Sequence, residues 1–244
     1  MPFTFSHPAI VLPLNRLSKR WFSLTALVVG SMAPDFEYFI RMRIEAKYSH
    51  SWSGLLWFDL PLGILLLFIY NSLVKNKLID HLPPYLNKRF SSLKNVAKSH
   101  FNYHWLVIII SILIGGASHI IWDSFTHADR FFIIPIPILT YSFKIGHHHL
   151  PIFKILQHLS SLVGAAVIMF AIRQLPVGNL TSRGNIIYYW LKITSIAISV
   201  LIIKFLTGLS LHEYGDIIVS AISGALIGLI IISVITSANA LEQA

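Results

Sequence analysis

Three polar side chains recur at intervals of four residues where an apolar run of the chain ends. They are His119, Asp123 and His127, in the stretch HIIWDSFTH. A step of four residues turns only about 40° around an α-helix, so the three side chains share one helical face. An imidazole and a carboxylate that lie one turn apart can bind the same metal ion. The spacing therefore predicts a metal-binding face on a helix.

Other histidines and an aspartate flank apolar runs at ends that the expected topology brings to the same side of a membrane. The chain has twelve histidines, ten acidic residues and no cysteine, so any metal would be held by nitrogen and oxygen. Such ligands suit one to three ions of zinc or another divalent metal. Asp35 would bridge two ions or act as the catalytic base. The predicted metal ligands are His7, Asp35, His50, His119, Asp123, His127 and His158.

A structural role for the same residues is the alternative. Ionisable side chains at the depth of the hydrocarbon cost about 3 kcal/mol unless they are paired or bound to a ligand. His119 and Asp123 could satisfy each other as a hydrogen-bonded pair, while His7 and His50 could cap helices or lie at the membrane interface. The sequence leaves a metal site and a polar packing face both open.

The composition indicates which elements hold these residues. The chain is 55% hydrophobic and 12% charged, which excludes a disordered chain and a soluble nucleic-acid binder. About 20 apolar residues cross a bilayer. We therefore predict an all-α, polytopic membrane protein in which an N-terminal helical hairpin precedes about five transmembrane helices. The predicted spans are 54–74, 105–122, 155–172, 186–206 and 217–236.

The hairpin is predicted to consist of two short helical arms, 7–17 and 23–33. Ser6 is the expected N-cap of the first arm, and Pro34 is expected to end the second. Both outer ends then lie on one side of the membrane, which brings His7 towards Asp35. A further apolar piece, 131–143, is short and contains two prolines, so it predicts a re-entrant or interfacial segment.

Charge counts predict the orientation of the chain. In this topology eleven Lys and Arg residues fall on one side and six on the other, and basic residues favour the cytoplasmic side. The metal face is therefore expected on the outer side of a bacterial inner membrane. Arg41, Arg43 and Arg130 lie on that side and could contact a phosphate.

Composition changes near Arg173, because few residues capable of chemistry follow it. This predicts a metal-site membrane domain at 1–175 and a two-helix membrane anchor at 176–244. Gly224 and Gly228 form a small-xxx-small pattern, which permits close helix contact and a homo-oligomer.

Several motifs resemble known families. The stretches PFTFSHPA (2–9), GSMAPDFEYF (30–39), FDLPLG (58–63), WDSFTH (122–127) and LQHLSS (156–161) together resemble an uncharacterised bacterial membrane family, domain of unknown function 4184. The order of Ser-His, Asp, Ser-His, HxxxD and a last His is more distantly similar to zinc-dependent phospholipase C, related single-strand nucleases and inner-membrane metal-dependent hydrolases. That likeness implies a three-zinc cluster at the seven residues. Leu162 replaces the Glu of the pattern, which implies one or two ions here.

Two functions are consistent with these patterns. The first is a metal-dependent hydrolase of phosphate esters at the membrane interface, whose substrate is a membrane lipid or a lipid-linked phosphate and not a nucleic acid. The second is a non-enzymatic membrane protein that binds or transports a metal, or in which the His/Asp face serves helix packing. Transport predicts polar residues at mid-membrane, whereas here they lie mostly at one end, which favours a site.

Overall fold

The computed structural model describes residues 3–16, 21–94, 105–127, 136–145, 148–181 and 184–241. Nearly all elements in these ranges are helical, which confirms the predicted all-α class. The α-helices are α1 (Pro8–Val11), α2 (Leu24–Met32), α3 (Phe36–Arg41), α4 (Trp52–Gly54), α5 (Leu60–Ile69), α6 (Lys75–Asp80), α7 (Pro84–Phe90), α8 (Trp105–Asp123), α9 (Ile152–Gln174), α10 (Ile186–Leu206) and α11 (Tyr214–Leu241).

Shorter elements connect and extend these helices. Single 3-10 turns occupy Thr4–Ser6, Leu12–Arg16, Ala33–Asp35, Ser91–Leu93 and Pro137–Thr140, and π-helical segments occupy Leu55–Asp59 and Tyr70–Val74. Strands β1 (Ser142–Ile145) and β2 (His148–Pro151) form an antiparallel hairpin. Of the predicted re-entrant piece, residues 131–135 lie outside the described residues, and the remainder contains a 3-10 turn and the start of β1.

Within the described residues, five helical runs are long and apolar enough to cross a membrane, which confirms a multi-pass membrane protein. They are Trp52–Asp80, Trp105–Asp123, Ile152–Gln174, Ile186–Leu206 and Tyr214–Thr236. The first run continues to Asp80 instead of ending at residue 74 as predicted. Pro61 lies in this run, lacks an N–H and crowds the carbonyl one turn earlier. The π segment that precedes it accommodates this proline without breaking the helix.

The N-terminal hairpin has two helical arms, as predicted, but two of their ends differ. Ser6 does not cap α1, because its hydroxyl donates to the carbonyl oxygen of Ser161. Pro34 does not end the second arm either. The chain tightens into the 3-10 turn Ala33–Asp35, which tolerates the missing N–H, and continues as α3.

The chain divides into two compact units. The first contains the described parts of Met1–Asp35, Tyr48–Ile64 and His104–Gln174, and the second those of Phe36–Lys47, Leu65–Tyr103 and Leu175–Ala244.

In the first unit, α2 and α8 pack backbone against backbone. A Cβ on Gly115 would overlap the carbonyl oxygen of Leu27, and a Cβ on Gly30 would overlap that of Ile112. The hydroxyl of Ser111 also accepts a hydrogen bond from the N–H of Ser23 at 3.0 Å. The two glycines therefore set how closely these helices approach each other.

In the second unit, α10 and α11 pack along each other. A Cβ on Gly224 would lie 2.8 Å from the α-carbon of Ala197, and a Cβ on Gly228 would lie 3.1 Å from the carbonyl oxygen of Ile193. The small-xxx-small pattern thus contacts a helix of the same chain. The structure gives no support at these glycines to the predicted contact with a second copy.

Candidate metal centre

Four buried side chains meet in the first unit, and we call them the candidate centre. Asp35 lies in the 3-10 turn after α2, His50 in the loop before α4, and His119 and Asp123 lie one turn apart on α8. One ligand atom from each residue lies within 4.8 Å of the other three. The HxxxD spacing on α8 predicts that His119 and Asp123 lie together. The predicted topology brings Asp35 and His50 to the same side of the membrane as this pair.

Five of the six spacings among the four ligand atoms fit a tetrahedral ion, and the sixth, between Asp35 and Asp123, is within 4.8 Å. The Nε2 atoms of His50 and His119 are 3.3 Å apart, and Asp35 Oδ1 lies 3.3 and 3.4 Å from them. Asp123 Oδ2 lies 3.5 Å from each nitrogen. Zinc bonds of about 2.0 Å place tetrahedral ligands about 3.3 Å apart. All five of these distances are close to that value.

Hydrogen bonds at the far side of the two imidazoles orient them. His119 Nδ1 donates to the carbonyl oxygen of Ser31 at 2.8 Å, and His50 Nδ1 lies 2.8 Å from the hydroxyl oxygen of Ser49. The carbonyl acceptor fixes the proton of His119 on Nδ1, and the Ser49 hydroxyl can accept a hydrogen bond from His50 Nδ1 in the same way, so that each ring can present the lone pair of Nε2 to the candidate centre. Two lone pairs beside two carboxylates repel each other unless a cation lies between them. The donor set therefore fits a divalent metal ion.

The carboxylates of Asp35 and Asp123 are both buried. No described group donates a hydrogen bond of normal geometry to either oxygen of Asp35 or Asp123. Burial raises the pKa of Asp35, but His119 and His50 in their protonated form lower it by more, so the pKa lies below its usual range. Two carboxylates contribute a charge of −2, which one divalent cation neutralises.

His7 lies against the candidate centre on another side of Asp123. Its Nε2 atom is 3.6 Å from Asp123 Oδ1, and its ring stacks on that of His119 with centroids 3.8 Å apart. Burial, and after it the neighbouring His119, lowers the pKa of His7 to about 3, so the ring is neutral at neutral pH. The two oxygens of Asp123 thus face different histidines, an arrangement that allows a second ion beside the first.

The remaining two predicted ligands lie differently. His127 Nδ1 is 3.8 Å from Asp123 Oδ2 but only 3.1 Å from the backbone oxygen of Asp123, so its closer contact is with the main chain. His158 is exposed on α9 and is not part of the candidate centre, whereas the adjacent Gln157 is buried. The ligand roles assigned to all seven residues, and the catalytic role of Asp35, stay predictions.

Two of the three arginines expected to contact phosphate have acidic partners. In the second unit, Arg41 pairs with Glu37 at 2.8 Å, and Arg43 Nε lies 3.6 Å from Asp216. A phosphate would have to compete with these carboxylates for the guanidinium groups. Arg130 lies outside the described residues.

The sequence interpretation missed the groups that hold the ligands in place. Ser49 precedes His50 as Ser6 precedes His7, and this repeated dipeptide is a signal that could have identified Ser49. Ser31 acts through its backbone carbonyl, which every residue type has, so the sequence carries no signal for it.

We expect Ser49→Ala to weaken zinc binding by about tenfold, because hydrogen-bond partners of metal-bound histidines typically contribute 10- to 100-fold in affinity. Competition with a zinc-chelating dye measures this. Ser53→Ala, at an exposed serine four residues further on, is the matched control. Equal affinity of the two variants would show that the Ser49 hydroxyl does not orient His50.

Comparisons with known proteins place the chain in a family. The sequence profile described as "Domain of unknown function (DUF4184)" matches residues 1–234, a range that includes every residue of the candidate centre. No curated protein and no solved structure matches the chain. The likeness to zinc-dependent phospholipase C therefore rests on the order of the residues alone. Since the match extends over nearly the whole chain, this protein belongs to the DUF4184 family.

Proposed function

We propose that this protein is a metal-dependent hydrolase of phosphate esters that acts at the membrane interface of a bacterial inner membrane. The observation that carries the proposal is the near-tetrahedral set of two imidazole nitrogens and two carboxylate oxygens at the end of a spanning helix. A divalent ion such as zinc, held there, would supply Lewis acidity and a water nucleophile at neutral pH. A phospholipid or another lipid-linked phosphate is the substrate that suits a membrane-embedded chain.

The residues of the candidate centre would have different roles in this reaction. His50, His119 and Asp123 would hold the ion through the atoms whose spacing is tetrahedral. Asp35 would present Oδ1 to the ion and accept, at Oδ2, the proton that water loses as it attacks phosphorus. The ester P–O bond then breaks, and the proton passes to the leaving alcohol oxygen. His7 would hold a second ion together with Asp123 Oδ1.

A structural His-Asp network is the competing function, and one observation favours it. The Nε2 atoms of His50 and His119 each lie within 3.5 Å of a carboxylate oxygen of Asp35 and of one of Asp123. Two protonated imidazoles could therefore neutralise two carboxylates without a metal. In that case the His/Asp face would serve packing between α2 and α8.

Metal analysis and substrate turnover separate the two functions. The full chain, purified in detergent and loaded with zinc or manganese, is expected to retain about one ion or more per chain and to hydrolyse phosphatidic acid or bis(p-nitrophenyl) phosphate. Metal retention without turnover of either ester would contradict the hydrolase and leave a metal-binding protein. A chain that retains no metal after loading would contradict both the hydrolase and a metal-binding protein, and it would support the structural network.

We further propose that the candidate centre faces the outer side of the membrane. The support is the excess of Lys and Arg on the opposite side, six of them between Lys75 and Lys98. The C-terminal part, 176–244, is proposed to act as a membrane anchor, because its two spans carry few residues capable of chemistry.

Cysteine labelling tests the orientation, since the chain has no cysteine of its own. Lys47 precedes the first span and Ser92 follows it, and both side chains are exposed. A membrane-impermeant maleimide is expected to label Lys47→Cys in intact cells and Ser92→Cys only in permeabilised cells. The reverse pattern would place the candidate centre on the cytoplasmic side.

A further inference from the structure

An apolar cavity of about 150 Å³ lies within the first unit, between α1, α8 and α9. Its wall is formed mainly by apolar side chains, and a histidine lines it as well. The lining residues that matter here are His7, Ala9, Ile10, Trp122, Val163 and Val167. An apolar cavity of this volume in a protein can hold a group the size of benzene, which is about six carbon atoms.

The mouth of the cavity continues the lipid-facing surface of α9. This helix is one of the five candidate spans, and only 11% of its apolar window is buried inside the chain. Val163 and Val167 are 52% and 38% exposed, and Ile10 on the other rim is 39% exposed. Apolar side chains exposed on a spanning helix contact hydrocarbon. A lipid chain can therefore reach this cavity from the bilayer.

The inner end of the cavity lies beside the candidate centre. His7 lines the cavity, stacks on His119 and lies 3.6 Å from Asp123 Oδ1. Trp122, on the same wall, is the residue before Asp123 on α8. A hydrocarbon group in the cavity is thus separated from the candidate centre by one side chain.

We propose that this cavity binds the first carbons of the hydrocarbon chain of a lipid phosphate, entering sideways from the bilayer, while its phosphate lies at the candidate centre. The proposal rests on the proposed function and names its substrate as a lipid, recognised by its chain. In the lipid the phosphate is joined to the apolar chain, and in the protein the candidate centre, whose ion would bind the phosphate, adjoins the apolar cavity through His7.

Val167→Phe, which fills the cavity from its rim, tests this proposal. The matched control is Leu162→Phe, on the same helix at a 71% exposed position that does not line the cavity. Exclusion of two methylenes from an apolar site costs about tenfold in affinity. We expect Val167→Phe to lower the kcat/KM for phosphatidic acid by about tenfold or more and to leave unchanged the hydrolysis of glycerol 3-phosphate, a soluble ester that has the same phosphate but neither an acyl chain nor an aromatic ring. Equal effects of the two variants on phosphatidic acid would overturn the proposal and leave the hydrolase intact.

A second measurement does not depend on turnover. Phosphatidic acid with a diazirine near the start of its acyl chain, reconstituted with the full chain and irradiated, is expected to label Trp122 or Ala9, which lie on the cavity wall. Val167→Phe should reduce that labelling about tenfold relative to Leu162→Phe. If neither ester is hydrolysed but this labelling is found, the lipid site stands and the hydrolase fails. Labelling confined to exposed residues of α9 would overturn the site.

Discussion

Asp123→Asn is expected to lower metal affinity by at least about 100-fold and to abolish phosphate-ester hydrolysis, while the protein remains inserted and folded. Asp123 Oδ2 lies 3.5 Å from both ligand nitrogens, and Oδ1 faces His7. The amide of asparagine removes one negative charge and one acceptor oxygen, and its NH2 group cannot bind a cation. Metal content by mass spectrometry and turnover of bis(p-nitrophenyl) phosphate measure the effect.

The matched control is Asp216→Asn. Asp216 is also an aspartate at a spanning helix, but it accepts a hydrogen bond from the N–H of Ile44 and lies near Arg43 instead of the candidate centre. This control should bind as much metal as the wild type. If Asp123→Asn also binds the same amount and retains its activity, Asp123 is a packing residue and not a ligand.

Gly115→Ala is the second substitution with a large expected effect, although it adds one methyl group. That methyl would overlap the backbone oxygen of Leu27 and lie 2.6 Å from the backbone N of Ser31. Backbone cannot rotate away as a side chain can, so α2 and α8 must separate. We expect a loss of at least about 2 kcal/mol of stability, since overpacking in tight interiors costs about 1–3 kcal/mol. Metal binding should fall as well, because Ser31 holds His119 across the same contact.

Gly116→Ala is the matched control for this effect. Its methyl would overlap the end of the Leu55 side chain, which can change its rotamer, and would lie in ordinary contact with the backbone oxygen of Gly30 at 3.6 Å. Alanine also favours a helix over glycine by about 1 kcal/mol. The apparent unfolding temperature in detergent should therefore fall for Gly115→Ala and stay level or rise for Gly116→Ala. Similar temperatures for the two variants would contradict the close packing of α2 on α8.

Hydrophobicity and spacing alone predict most of the fold and part of the candidate centre. The five spans follow from apolar run length, and the pairing of His119 with Asp123 follows from helical periodicity. His158 shows the limit of such reasoning. It is exposed while Gln157 is buried, but both residues lie on the same polar side of this end of α9 as Ser161, so hydrophobic periodicity does not indicate which of the two adjacent residues faces inward.

The ends of the hairpin could not be predicted for a different reason. Ser6 has the side chain of an N-cap, but the residue that competes for its hydroxyl, Ser161, is distant in the sequence. Pro34 has the geometry of a helix stop, but one 3-10 turn is enough to absorb it. In both cases a local rule is overridden by packing, which depends on where the other helices lie.

The chain positions of the four residues of the candidate centre also set an order of events during synthesis. Asp35 and His50 leave the ribosome well before α8, which supplies His119 and Asp123 together. Until α8 has been inserted beside α2, Asp35 and His50 lack their partners His119 and Asp123. The hydrogen bond between His119 and the Ser31 carbonyl, which orients His119, cannot form before that step either. Binding of one ion by all four residues would therefore follow the insertion of α8, and none of the four lies on α10 or α11.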